Sequence, residues 1–105
     1  MIGLGKWAYN VNTVFITGLV TIGISDDNGA YKVEVLGIET DADVPDFRFY
    51  DIVEEGDTLK GKGEVSLLPG SSLEMSLTFD GDAMTGYLKV PYLGKIKIKD
   101  GKRIA

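Results

Sequence analysis

Asp51 is the one carboxylate expected on the apolar face of a strand interior, and Tyr9 and Tyr31 are the hydroxyls that can meet it. A buried carboxylate needs a hydrogen-bond partner. So placed, it orients a ligand's polar group or takes a proton as a general base. The competing expectation is a bulge or strand end that turns Asp51 to solvent. No other residues form a catalytic set. The chain has no histidine and no cysteine, which removes the commonest general base, the commonest transition-metal ligand and all thiolate chemistry. Ser71-Ser72 therefore lacks a base for a conventional hydrolase triad. The three carboxylates of Asp41-Ala42-Asp43-Val44-Pro45-Asp46 lack the glycine and distal glutamate of a calcium loop, so they are expected to be solvated. Gly3-Leu4-Gly5 leads toward a strand, so it is no dinucleotide fingerprint. The expectation is a non-enzyme with no catalytic residues, no metal and no cofactor.

Composition sets the frame. A chain of 105 residues makes one domain, 1–105, with one core. Its net charge of -5 argues against nucleic acid and against an anionic membrane surface. Met1-Ile2-Gly3-Leu4-Gly5-Lys6 has no basic region followed by a long apolar run, and no segment has the length of a membrane-spanning helix, so a cytoplasmic location is the default.

The elements that must position these residues are strands. Turn signals fall at Asn10-Val11-Asn12, Asp26-Asp27-Asn28-Gly29, Asp41 to Asp46, Glu55-Gly56-Asp57, Pro69-Gly70-Ser71-Ser72, Asp80-Gly81-Asp82 and Pro91 to Gly94. Between them the alternation of apolar and polar residues predicts about eight strands, near 4–10, 13–25, 30–40, 47–54, 58–68, 73–80, 83–90 and 94–104. A two-residue turn at Asn28-Gly29 sets Ile24 opposite Val33, Ile22 opposite Val35 and Val20 opposite Gly37. A turn at Gly81-Asp82 sets Phe79 opposite Met84, Met75 opposite Leu88 and Glu74 opposite Lys89. A turn at Glu55-Gly56-Asp57 sets Arg48 opposite Glu64, Phe49 opposite Gly63 and Asp51 opposite Gly61. All three hairpins sort apolar from charged residues in the same sense, and a slip of one residue would invert every face. The fold class is all-β: an up-and-down antiparallel meander of about eight strands closed into a small barrel. A two-sheet sandwich is the competing arrangement.

Two features resemble the calycin superfamily, the lipocalins and their relatives. Gly5-Lys6-Trp7 matches the G-x-W motif that opens lipocalin barrels, and Arg103 sits late in the last strand. The resemblance implies a lipocalin-like barrel in which Arg103 crosses the floor and stacks on Trp7 as a plug. Cation–π attraction over an indole face supports such a pairing. The chain departs from the family in its short length, its missing T-D-Y motif and the tight Asn10–Asn12 connection.

A barrel of this kind has a plugged end at Trp7 and Arg103 and a mouth at the Asp41–Asp46 end. Its lumen is expected to be lined by Tyr9, Tyr31, Phe47, Phe49, Asp51, Met75, Phe79 and Met84, with Val14, Ile16, Val53 and Leu67 also inward. That lumen either holds a small apolar ligand or is filled by its own side chains. On the outside, Phe15, Leu19, Leu36, Ile38, Tyr50 and Ile52 are expected to form an apolar patch on three adjacent strands, which predicts self-association, as a homodimer for example. The functional expectation is therefore a non-catalytic barrel that binds a small apolar ligand, or alternatively a self-associating assembly module with a packed lumen.

Overall fold

A computed structural model describes residues 1–12, 17–39, 47–65, 72–91 and 94–105. Val14, Phe15, Ile16, Leu67 and the Asp41–Asp46 segment, expected at the mouth, lie outside the described residues. Eight strands follow in order: β1 (Gly5–Asn12), β2 (Thr17–Asp27), β3 (Ala30–Glu39), β4 (Phe47–Glu55), β5 (Thr58–Val65), β6 (Ser72–Asp80), β7 (Ala83–Val90) and β8 (Gly94–Arg103). The described residues contain no helix, and hence none long and apolar enough to cross a membrane. The strands form one antiparallel sheet in the order β3-β2-β1-β8-β7-β6-β5-β4. The first and last strands pair through Trp7↔Arg103 and Ala8↔Lys102. The sheet curls until β3 and β4 lie side by side without a ladder between them. The result is an up-and-down, nearly closed barrel whose one seam is β3/β4.

Local chemistry accounts for the hairpins. Asn28 and Gly29 both have positive φ, 55° and 91°, as a type I′ turn requires. Asp26 fastens the same turn by accepting the Gly29 N–H at 2.7 Å. The expected pairs Ile24↔Val33, Ile22↔Val35, Phe79↔Met84, Met75↔Leu88, Glu74↔Lys89, Arg48↔Glu64 and Phe49↔Gly63 are all present. The inner face is a continuous apolar core in which Trp7, Leu59, Leu73, Leu77 and Met84 are fully buried.

Three register shifts alter the expected faces. Between Ile22 and Thr21 the partner residues jump from Val35 to Gly37, so Leu36 is extra and Val20 faces Ile38 rather than Gly37. On β4 the register slips between Tyr50 and Val53, with Asp51 at φ 51°. Ile52 then takes the inward place expected of Asp51, and a Cβ on Gly61 would lie 2.9 Å from its Cγ1. On β8, Gly86 pairs with Ile98 but Met84 pairs with Gly101, so Lys99 and Asp100 together oppose Thr85. Each extra residue bends its strand and reverses the side taken by every residue after it.

Asn10-Val11-Asn12 is not a turn. β1 runs through Asn12, and Val11 is buried on the inner face. The signal misled because asparagine favours turns by local hydrogen bonding, whereas here Asn10 and Asn12 are the outward residues of an alternating strand.

Candidate functional site

The closed end is built around Trp7. The Arg103 guanidinium carbon lies 4.6 Å from the centre of the indole ring. Arg103 also donates to Asp82 Oδ1 at 3.1 Å and to the Leu4 carbonyl. Trp7 Nε1 donates to the Gly3 carbonyl at 2.8 Å, and the Phe79 ring packs 4.9 Å from the indole. Gly3 lies so close to Phe79 that a Cβ would sit 2.5 Å from its ring. The segment before β1 thus completes the plug.

Tyr31, expected in the lumen, lies at this end. Its hydroxyl accepts the Ile2 N–H at 2.7 Å and donates to Glu54, which stitches β3 to β4 across the seam. Partial burial, and then the Glu54 carboxylate, hold its phenol above the usual value.

Toward the opposite end lies an apolar cavity of about 30 Å³, lined by Tyr9, Val11, Val20, Val35, Ile38, Phe47, Phe49, Leu88 and Ile96. Phe47 and Phe49 stack within it, nearly parallel, with centres 6.3 Å apart. Burial pushes the Tyr9 phenol up to about 12. Of the expected lumen residues, Tyr9, Phe47 and Phe49 meet here. Met75, Phe79 and Met84 are buried in the packed core and do not line this cavity. Asp51 is exposed on its bulge, so the proposed pairing with Tyr9 or Tyr31 does not form. The described residues hold no group of three His, Cys, Asp or Glu side chains suited to a metal.

The outer apolar patch is also redrawn. Ile38 and Ile52 face the core, because each follows a bulge in its own strand. Val53, expected inside, is instead 54% exposed for the same reason. Leu36 is 47% exposed and lies on the outer face over Gly23. Leu19 and Tyr50 are half-buried, with Arg48 over the Tyr50 ring at 5.9 Å. Phe15 lies outside the described residues.

Charge on the outer wall is uneven. β5–β8 carry Lys60, Lys62, Lys89, Lys95, Lys97, Lys99 and Lys102 against Glu64, Glu74, Asp80 and Asp100. A basic wall therefore exists on a chain of net charge -5, and whole-chain charge hid it. Beside this wall the β1/β8 ladder stops after Ala8↔Lys102. The ladder ends where the Lys99–Asp100 bulge interrupts the register of β8. Asp100 bridges the gap, accepting the Asn10 amide at 2.8 Å and the Asn10 backbone N–H at 3.2 Å. Those two bonds hold the Asp100 carboxylate below its usual value. Above the bridge opens a cleft of about 570 Å³, lined by Asn10, Asn12, Lys95, Ile96, Lys97, Lys99 and Asp100. The sequence reading missed this cleft, although the K-x-K-x-K run from Lys95 to Lys99 announces one of its walls.

Comparison with protein-family models, with curated proteins and with solved structures returned no match. The architecture is compatible with a lipocalin-like fold on its strand count, its topology and the Trp7–Arg103 floor.

Proposed function

We propose that this protein is a non-catalytic binding and assembly module that works from the outside of a filled barrel. The observation that carries this reading is the size of the cavity among Tyr9, Phe47 and Phe49, about 30 Å³. That is room for a few water molecules at most. Sites for organic ligands run to roughly 300–1,000 Å³. The outer wall, by contrast, offers exposed apolar side chains at Leu36 and Val53 and a basic face on β5–β8. Self-association through the Leu36 and Val53 region is part of the reading, and so is a partner of opposite charge on the lysine face. Kinship with the calycins is supported by the Trp7–Arg103 stack and the eight-strand meander.

A second reading is favoured by one specific feature, the predominantly apolar side chains around that cavity. A small apolar ligand would enter there if Phe47 and Phe49 swung aside. A screen of apolar fluorophores separates the two. The filled-barrel reading expects no saturable uptake by the wild-type protein. Uptake at one site per chain, abolished by Phe49→Trp, would overturn it in favour of a ligand carrier. Sedimentation across a range of concentrations tests assembly. A monomer at every concentration, unchanged by Leu36→Lys, removes self-association.

A further inference from the structure

We propose that the β1/β8 cleft docks an extended peptide with carboxylates at alternate positions, which adds a strand to the free edge of β8. This rests on the reading of the outer wall as the working surface. Two independent observations meet at the cleft. Among the described residues, β8 is paired from Gly94 to Ile98 on its β7 side only, and Lys99, in the bulge, has no ladder partner on either side. No described residue pairs with its backbone groups on the β1 side, which leaves them for water or for another strand. On the same stretch Lys95, Lys97 and Lys99 are exposed at every second residue. None of the three makes an ion pair among the described residues, whose ion pairs are Lys32–Glu34, Lys60–Glu55 and Arg103–Asp82.

The two observations select one kind of partner. Alternate side chains of a strand stand about 6.7 Å apart, so an added strand with acids at every second residue matches the lysines one for one. Opposite charges directly across a strand pair stabilise it, and like charges oppose it. The lysines that would repel the β8 edge of a second copy thereby favour an acidic strand. Backbone pairing also distinguishes a peptide from a nucleic acid. A bound single strand of nucleic acid needs aromatic faces for its bases, and the Tyr87 ring beside this cleft is already covered by the Lys95 ammonium at 4.7 Å. The Asp100–Asn10 bridge closes the cleft at its lower end and sets where the added strand must stop.

The test uses the full chain and three labelled probes, read by fluorescence anisotropy at low and at physiological salt. The first probe is a peptide of alternating Glu and Val. The second has the same composition with all Glu residues in one block. The third is an oligothymidylate. The alternating peptide is expected to bind at least about tenfold more tightly than either control, since only it satisfies both the edge and the lysine register. Lys97→Glu combined with Lys99→Glu should weaken it by about tenfold or more, while circular dichroism confirms an intact barrel. Lys97→Gln, which removes charge without reversing it, should fall between. Equal binding of the two peptides, tighter binding of the oligothymidylate, or no binding of any probe overturns the proposal. Each of those results leaves the filled barrel standing, because only fluorophore uptake bears on that.

Discussion

Arg103 lies over Trp7 because β8 holds one residue more than β7 between Ile98 and Gly101. Ile96 and Ile98 point inward, and strict alternation from them would place Asp100 and Lys102 inside and Arg103 outside. The Lys99–Asp100 bulge exchanges the faces, so that Gly101 and Arg103 turn in. The same bulge lies where the β1/β8 ladder ends and the lysine-lined cleft begins. One extra residue thus builds the floor at one end of β8 and the proposed docking edge at the other.

Deleting Lys99 should therefore unstack Arg103 from Trp7 and draw β8 back toward β1. Trp7 is the sole tryptophan, so its emission reports on the floor directly. The deletion should shift that emission to the red and lower the denaturation midpoint. Arg103→Ala should do so more mildly, at a cost of about 1–2 kcal/mol for the lost stack and charged hydrogen bonds. An unchanged emission maximum in both variants would mean that the stack does not shield the indole.

The hairpins were legible because a period of two leaves little freedom once a turn is placed. Ile24 opposite Val33 and Phe79 opposite Met84 follow from Asn28-Gly29 and Gly81-Asp82 alone. The bulge at Asp51 was one of two expectations for that residue, and the bulges at Leu36 and Lys99–Asp100 were not read, since no residue type marks them; Leu36, Asp51 and Lys99–Asp100 have little in common. Their trace is in spacing. Inward residues fall three apart at Val35 to Ile38, at Phe49 to Ile52 and at Ile98 to Gly101, and two apart elsewhere on these strands. Reading strict alternation through those gaps put Ile38 and Ile52 outside and Asp51 and Val53 inside. The cleft was invisible for a related reason. It needs the β8 bulge, and it needs the lysines sorted onto one wall, which no chain total can reveal.

Tyr9 predicts an alkaline limit to stability. Its folded pKa is raised to about 12 by burial, against about 10 in the unfolded chain. The unfolded state therefore loses this proton first as pH rises. The stability contribution is complete below pH 10 and declines from pH 10 to 12, by about 2–3 kcal/mol in all. Tyr9→Phe should flatten that part of the profile and change little at pH 7. Denaturant melts at pH 8 and pH 11 measure the difference, and equal pH slopes for the two proteins would contradict the burial of this hydroxyl.

Gly86 and Gly37 form a matched pair. A Cβ on Gly86 would lie far inside van der Waals contact with the Ser76 carbonyl oxygen, and the residue has φ 154°. A Cβ on Gly37 meets nothing within 4 Å. Gly86→Ala should therefore cost several kcal/mol, on the order of the overpacking and strain penalties combined. Gly37→Ala should be neutral or stabilise by up to about 1 kcal/mol, through the less flexible unfolded chain. Comparable midpoints for the two variants would show that β6 and β7 do not approach as closely as described.

Asp51 tests the bulge that removed it from the lumen. At φ 51° it occupies the left-handed region, which a short polar side chain tolerates and a β-branched one does not. Asp51→Val should therefore cost about 1–2 kcal/mol, even though valine suits a regular strand. Asp51→Asn and Asp51→Gly should each fall within about 0.5 kcal/mol of the parent, the latter because relief of strain offsets the added freedom of the unfolded chain. A regular inward position predicts the reverse order, since valine would there add apolar contact while glycine would leave a gap. Urea midpoints for the three variants decide between the two. Valine proving the most stable of them would return Asp51 to the ladder, and Ile52 to the outer wall.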